Sequence, residues 1–86
     1  MRLKYIMDKN NQFVIFSDSI THSSVKSNDL GEIVGAGFCT IACGYDRDEK
    51  EEVVNVHCFG KSISLGIESR EIDEEIINEK LHNKYA

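Results

Sequence analysis

The sequence predicts an α+β domain: a mostly antiparallel sheet of about five strands with a C-terminal amphipathic helix on one face. Three observations carry that expectation. Apolar and polar residues alternate with period two through 38–45 and again through 54–58. Polar, turn-forming clusters separate the apolar runs at hairpin spacing. Ile72, Ile76, Ile77 and Leu81 recur at helical spacing among acidic and polar neighbours. With 86 residues, 41% hydrophobic and 29% charged, the chain is of a size for one domain, 1–86, around a single core.

Lys4–Met7 and Phe13–Phe16 are short β-rich runs, and the Asp8-Lys9-Asn10-Asn11-Gln12 segment between them favours a turn with a positive φ at an asparagine. They predict an N-terminal hairpin. From Ser17 to Asp29 the chain is rich in Ser, Thr, Asn and Asp, whose side chains bond the local backbone, so a loop with one short helix is expected, capped by Ser19 or Thr21. Gly31, Gly35 and Gly37 lead into the next strand. There Cys39, Ile41, Cys43 and Tyr45 share one face, with Phe38, Thr40 and Ala42 on the other. Asp46–Glu51 form a polar turn, after which Val54, Val56 and Cys58 lie opposite Asn55 and His57, completing a second hairpin. If paired residue numbers there sum to 97, Cys39 faces Cys58. Phe59–Ser62 supply another turn, and Ile63, Leu65 and Ile67 alternate as the last strand, whose apolar face needs a cover. The helix over 71–82, begun by Ser69 or Arg70, provides it; its early acids and late Lys80, His82 and Lys84 suit the helix dipole.

The charge distribution narrows the function classes. The net charge of -5 concentrates in 46–52 and 68–75, while the ten cations are scattered singly rather than massed, which argues against a phosphate-backbone footprint and hence against nucleic acid. No apolar run reaches the roughly 18 residues of a membrane span, and Met1–Tyr5 lacks the apolar stretch of a signal peptide, so a cytoplasmic protein is expected. Three cysteines, an odd number, fit reduced thiols packed as small hydrophobes.

Each chemical motif in the sequence has a competing packing role. Gly60-Lys61-Ser62 resembles the end of a phosphate-binding loop, but position 55, where the first glycine belongs, is Asn, and no helix follows. Gly35-Ala36-Gly37 lacks the third glycine of a dinucleotide fingerprint. Cys39, Cys43, His57 and Cys58 could suggest zinc, yet strand residues four apart lie about 13 Å from each other, and His57 and Cys58 point to opposite faces, so neither metal nor other cofactor is expected. A Cys–His nucleophile pair would use Cys43 or Cys58 with His57 or His22, but these cysteines sit in apolar strand patterns rather than at an electropositive helix start. Two places suit a small anion: Ser19, Thr21 and His22 beside the short helix, and Ser62, Ser64 and Arg70 before the last one. Arg70 can equally pair with Glu68, Asp73 or Glu74.

Phe16–His22 with Gly35–Cys39, and Cys58–Arg70 with Ile76-Ile77, resemble small uncharacterised proteins encoded by bacteriophages and prophages, over about residues 4–77. The chain departs from that pattern in having Ile72, without a nearby proline, where the last helix starts. The resemblance brings no activity, cofactor or catalytic residue; it implies a mobile element in a bacterial cell, where small accessory proteins commonly act by binding. The first functional expectation is therefore a non-enzymatic protein, forming a homodimer, that engages a host or phage protein through Phe38, Asn55, His57 and Phe59 on the uncovered sheet face. A sequesterer of an anionic, nucleotide-like ligand is the alternative, and a Cys-dependent enzyme the third.

Overall fold

The computed structural model describes residues 2–25, 30–45 and 52–85, with side chains over 2–25, 30–42 and 55–81. The chain runs β1 (Arg2–Asp8), β2 (Phe13–Ser17), α1 (His22–Val25), β3 (Ile33–Tyr45), β4 (Glu52–Phe59), β5 (Lys61–Ser62), β6 (Ile67–Glu68) and α2 (Glu71–Tyr85). The α+β class is as the sequence predicts. Four strands form an antiparallel sheet in the order β2-β1-β3-β4, and β5 and β6 form a separate two-stranded sheet.

Both hairpins follow the alternation of their residues. In the first, the Asp8 N–H donates to the Gln12 carbonyl and the Asn11 N–H to the Asp8 carbonyl, while Asn11 takes a φ of 65°. That is the three-residue hairpin loop with a left-handed third position, which asparagine tolerates better than most residues. The Asp8 carboxylate holds the loop from inside, accepting the N–H groups of Asn10, Gln12 and Gly31. In the second hairpin Cys39 stands opposite Cys58 and Thr40 opposite His57, so the pairing numbers do sum to 97. The predicted turn over 46–51 lies outside the described residues, as do the side chains of Cys43, Tyr45, Val53, Val54, His82 and Lys84.

The last strand is where the structure departs furthest from the alternation. Residues 63–66 are a turn joining two-residue β5 and β6, not the middle of a strand. Gly60 and Gly66 take φ values of +76° and +66°, which bend the chain at both ends, and the buried Ser62 hydroxyl accepts the Leu65 N–H at 3.2 Å. Local turn chemistry thus overrides a period-two pattern only six residues long. Ile63 consequently stands 88% exposed at the tip of the turn instead of facing a core.

Each face of the four-stranded sheet carries its own core. Beneath α2 lie Tyr5, Met7, Cys39 and Val56, with Ile77 of the helix buried among them and Ile76 and Leu81 packed against the cluster. On the opposite face Ile6, Phe16, Ile33 and Ala36 are covered by Val25, Leu30, Leu65 and Ile67. The expectations of a single core and a fully open second face are both corrected. The β5–β6 hairpin folds back over that face, packing Leu65 and Ile67 against it and leaving Ile63 outside.

The register of α2 also differs from its apolar spacing. Ile72 is 51% exposed, and its neighbour Asp73 is fully buried. Arg70 is the N-cap: its N–H donates to Asp73 Oδ2 at 3.1 Å, and the Asp73 N–H donates to the Arg70 carbonyl at 3.0 Å. The Arg70 guanidinium donates to Asp73 Oδ1 from Nη2 at 2.6 Å and from Nε at 3.0 Å, and the Tyr5 hydroxyl donates to Oδ2 at 2.7 Å. The carboxylate fills the space that a side chain at position 35 would occupy, so Gly35 is required by close approach. One turn further, Glu74 Oε1 accepts the Cys58 N–H at 2.9 Å, and the Asn78 side chain exchanges two hydrogen bonds with Val56, at 2.7 and 3.0 Å. Two helix residues four apart thus bond the outward backbone groups of edge strand β4.

Gly35→Ala is expected to destabilise the fold by about 3 kcal/mol or more, because the new methyl group must displace a buried, hydrogen-bonded carboxylate. Urea unfolding of the variant against the parent measures it; a loss below about 0.5 kcal/mol would show that the carboxylate moves away freely.

Candidate functional site

Across the sheet from α2, alternate residues of β3 and β4 put aromatic rings in a row. Phe38 and Phe59 are register partners, and their rings stack with centroids 6.0 Å apart and planes at 28°. The His57 ring stacks on Phe59 at 5.8 Å. On the other flank His22 meets Phe38 edge-on at 6.0 Å and Phe16 at 5.5 Å. His22 is buried, with Nε2 2.8 Å from the Gly37 carbonyl, which can only accept, so Nε2 carries the proton. This histidine pins α1 to the sheet and presents no free nitrogen at Nε2. The Arg2 guanidinium lies 4.5 Å from the Phe38 centroid, steadied by Asp18 at 3.0 Å.

Beside this row opens a shallow cleft of about 420 Å³. Phe38 and His22 line its base, Gly60 and Ile63 one wall, and Lys4, Lys61, Thr21 and Ser64 supply its polar groups. A side chain at position 60 would press on the Phe38 ring at 2.9 Å, so the turn residue and the floor are matched. The Lys4 ammonium donates to the Ile20 carbonyl at 2.9 Å, and among the described residues neither Lys4 nor Lys61 has a carboxylate partner. The cleft is therefore apolar in its walls and cationic at its edge, in a chain whose net charge is -5.

Of the residues singled out in the sequence, this cleft unites Thr21, His22, Phe38 and Ser64, with Phe59 stacked behind Phe38. Ser19 lies outside it, its hydroxyl 2.9 Å from that of Ser17. Thr21 and Ser24 hydroxyls bond each other at 2.6 Å across a four-residue helix. Ser62 is spent on its own turn. Asn55 is exposed on β4. Arg70 and His57 line a different cleft, of about 390 Å³, at the start of α2, and the two anion-binding groups read from the sequence do not converge. In that second cleft the Arg70 guanidinium is committed to Asp73, His57 Nδ1 donates to Glu74 Oε1 at 2.6 Å, and Glu71, Glu74 and Glu75 make the rim acidic. Lys4, Lys61 and Ile63 are the site residues that the alternation hides. The signal for Ile63 and Lys61 is the pair of glycines at 60 and 66, a spacing that suits a tight hairpin.

Cys39 and Cys58 are placed for packing. Burial pushes the Cys39 thiol up to about 11 and the Cys58 thiol up to about 12, the latter aided by Cys39, Glu74 and Asp73. Both are protonated near neutral pH, opposite to what a nucleophile requires. His57 directs Nδ1 to Glu74, and it is the Cys58 backbone N–H, not its thiol, that shares that carboxylate. Among the described residues no three His, Cys, Asp or Glu side chains converge as metal ligands, and no helix is long and apolar enough to cross a membrane. No family model, curated protein or solved structure matches the chain.

Iodoacetamide at pH 8 should label Cys39 and Cys58 at least about tenfold more slowly in the native protein than in urea, read by peptide mass spectrometry; equal rates would contradict their burial. Because both folded thiols titrate above the ordinary 9.0, their contribution to stability is complete below pH 9 and declines as pH rises towards 11. The buried Tyr5 hydroxyl, raised by burial and by Asp73, acts in the same direction above pH 10. The urea midpoint should therefore fall between pH 9 and 11, and a flat profile there would exclude these shifts.

Proposed function

We propose that the protein is a non-enzymatic binding module whose cleft over Phe38 docks an acidic, apolar-anchored segment of a protein partner, in the setting of a phage or prophage protein acting on a host or phage protein inside a bacterial cell. The observation that carries this reading is Ile63, 88% exposed beside a stacked Phe38–Phe59 pair and flanked by Lys4 and Lys61. A large apolar side chain held out at a turn tip, next to an aromatic floor, is the composition of an interface centre, and the two lysines beside it would select partners by charge. The raised thiols of Cys39 and Cys58, and the absence among the described residues of a base aimed at either, favour binding over a reaction that uses these two thiols.

The volume and polarity of the same cleft support a second reading, a small anionic ligand with an aromatic ring, such as a nucleotide. Phe38 would take the ring, and Lys4, Lys61, Thr21 and Ser64 the anionic end.

Ile63→Ser and Lys61→Glu separate these from a purely structural cleft, since both residues are exposed and neither change should alter the far-UV circular dichroism. A partner captured from bacterial host lysate by the parent protein should be retained about tenfold less by either variant. Undiminished capture by both would move the interface elsewhere. If nucleotides raise the melting temperature of the parent but not of Lys61→Glu, the small-ligand reading takes precedence.

A further inference from the structure

The two edges of the main sheet are unlike. On β4 the outward backbone groups of Val56 and Cys58 are occupied by Asn78 and Glu74 from α2. On β2 nothing comparable is present among the described residues. The Asp8 N–H to Gln12 carbonyl bond sets the ladder phase, so Val14 and Phe16 bond inward to Ile6 and Lys4, while the N–H and C=O groups of Phe13 and Ile15 point away from the sheet. The open stretch is bounded at both ends. Lys80 Nζ donates to the Asn11 carbonyl before it, and the Ser17 carbonyl beyond it accepts the Ile20 N–H. Between them Phe13-Val14-Ile15-Phe16 contains no charge, proline or bulge, the usual devices that protect a strand edge.

We infer that β2 pairs antiparallel with β2 of a second copy of this chain about a two-fold axis at Val14, continuing the sheet across the dimer. This inference stands apart from the cleft described above. A two-fold at Val14 pairs Phe13 with Ile15 of the second copy and Ile15 with its Phe13. The free N–H and C=O groups of both residues are then used in four backbone hydrogen bonds, and the committed Ser17 carbonyl is not needed. An axis at Ile15 would call on that carbonyl. The Val14 register also places an aromatic ring beside a β-branched side chain twice on the α2 face, a favourable cross-strand combination, and brings the two Val14 side chains together at a close, non-hydrogen-bonded position on the other face. Val14 is 36% exposed in the single chain and gains cover there. The contact is narrow, so the dimer belongs to the reversible class, with association visible as a function of concentration.

Sedimentation velocity of the parent chain between about 1 µM and about 1 mM tests this directly. The expected result is a shift from monomer to dimer within that range. Val14→Lys and Val14→Glu each place like charges opposite one another and should lower the association constant by about tenfold or more, with unchanged far-UV circular dichroism; an equimolar mixture of the two should restore it through a Lys–Glu pair. Restoration in the mixture separates loss of pairing from loss of folding. A parent that remains monomeric throughout overturns the inference and leaves the β2 edge to a strand of another protein. A dimer insensitive to both variants places the interface elsewhere and overturns it equally.

Discussion

The buried carboxylate of Asp73 is the constraint from which the arrangement of the chain follows. A fully desolvated carboxylate is tolerable only if its lone pairs are satisfied, and here the Tyr5 hydroxyl, the Arg70 backbone N–H and two guanidinium donors satisfy them. Three demands meet at one residue. It caps the helix, it fixes the rotational setting of α2, and it fills the gap left by Gly35 in β3. Once Asp73 is placed, helical geometry puts Glu74 and Asn78 over the outer side of β4 and Ile77 over Tyr5, Met7 and Val56. The polar residues on the sheet-facing side of α2 are thus part of its docking, bonding groups that an apolar stripe would leave unpaired.

That docking leaves the aromatic row and the candidate cleft on the other face. There the β5–β6 hairpin and α1 cover the sheet near Ile6 and Ala36, with His22 of α1 reaching the edge of the Phe38 ring. The cleft is the gap between those two short covers. Charge divides in the same way, with Glu71, Glu74 and Glu75 at the start of α2 and Lys4 and Lys61 at the cleft. Under the proposed binding role, an acidic chain with a locally cationic recess would repel most acidic partners at long range and accept one that fits at contact.

The parts of the fold set by period and turn chemistry were legible in the residues themselves. Alternation through 38–45 and 54–58 gave the faces and excluded one-residue slips, which would exchange buried for exposed side chains; the Cys39–Cys58 pairing, conditional on numbers summing to 97, is the register observed. Asn11 in its positive φ was legible for the same local reason. The exposed Ile72 and the buried Asp73 were not, since capping and a tyrosine 68 residues away decide the rotation of α2, and neither appears in a window of helical spacing. The same limit hid half the cleft. Ile63 read as a core residue because its alternation with Ser62 and Ser64 was counted without the bends at Gly60 and Gly66. Phe38, His22, Thr21 and Ser64 were identified, whereas Lys4 and Lys61 owe their importance to chain segments that meet only in three dimensions.

The most direct test of the central role of Asp73 is a double-mutant cycle of Tyr5→Phe and Asp73→Asn, followed by urea unfolding at pH 7. Removing one partner of a buried, charge-assisted hydrogen bond leaves the other unsatisfied, so the two changes should be strongly non-additive, with a coupling energy of about 1.5 kcal/mol or more. Additivity within about 0.3 kcal/mol would contradict the account, because it would mean that the tyrosine and the aspartate stabilise the chain independently and that their contact does not set α2 on the sheet.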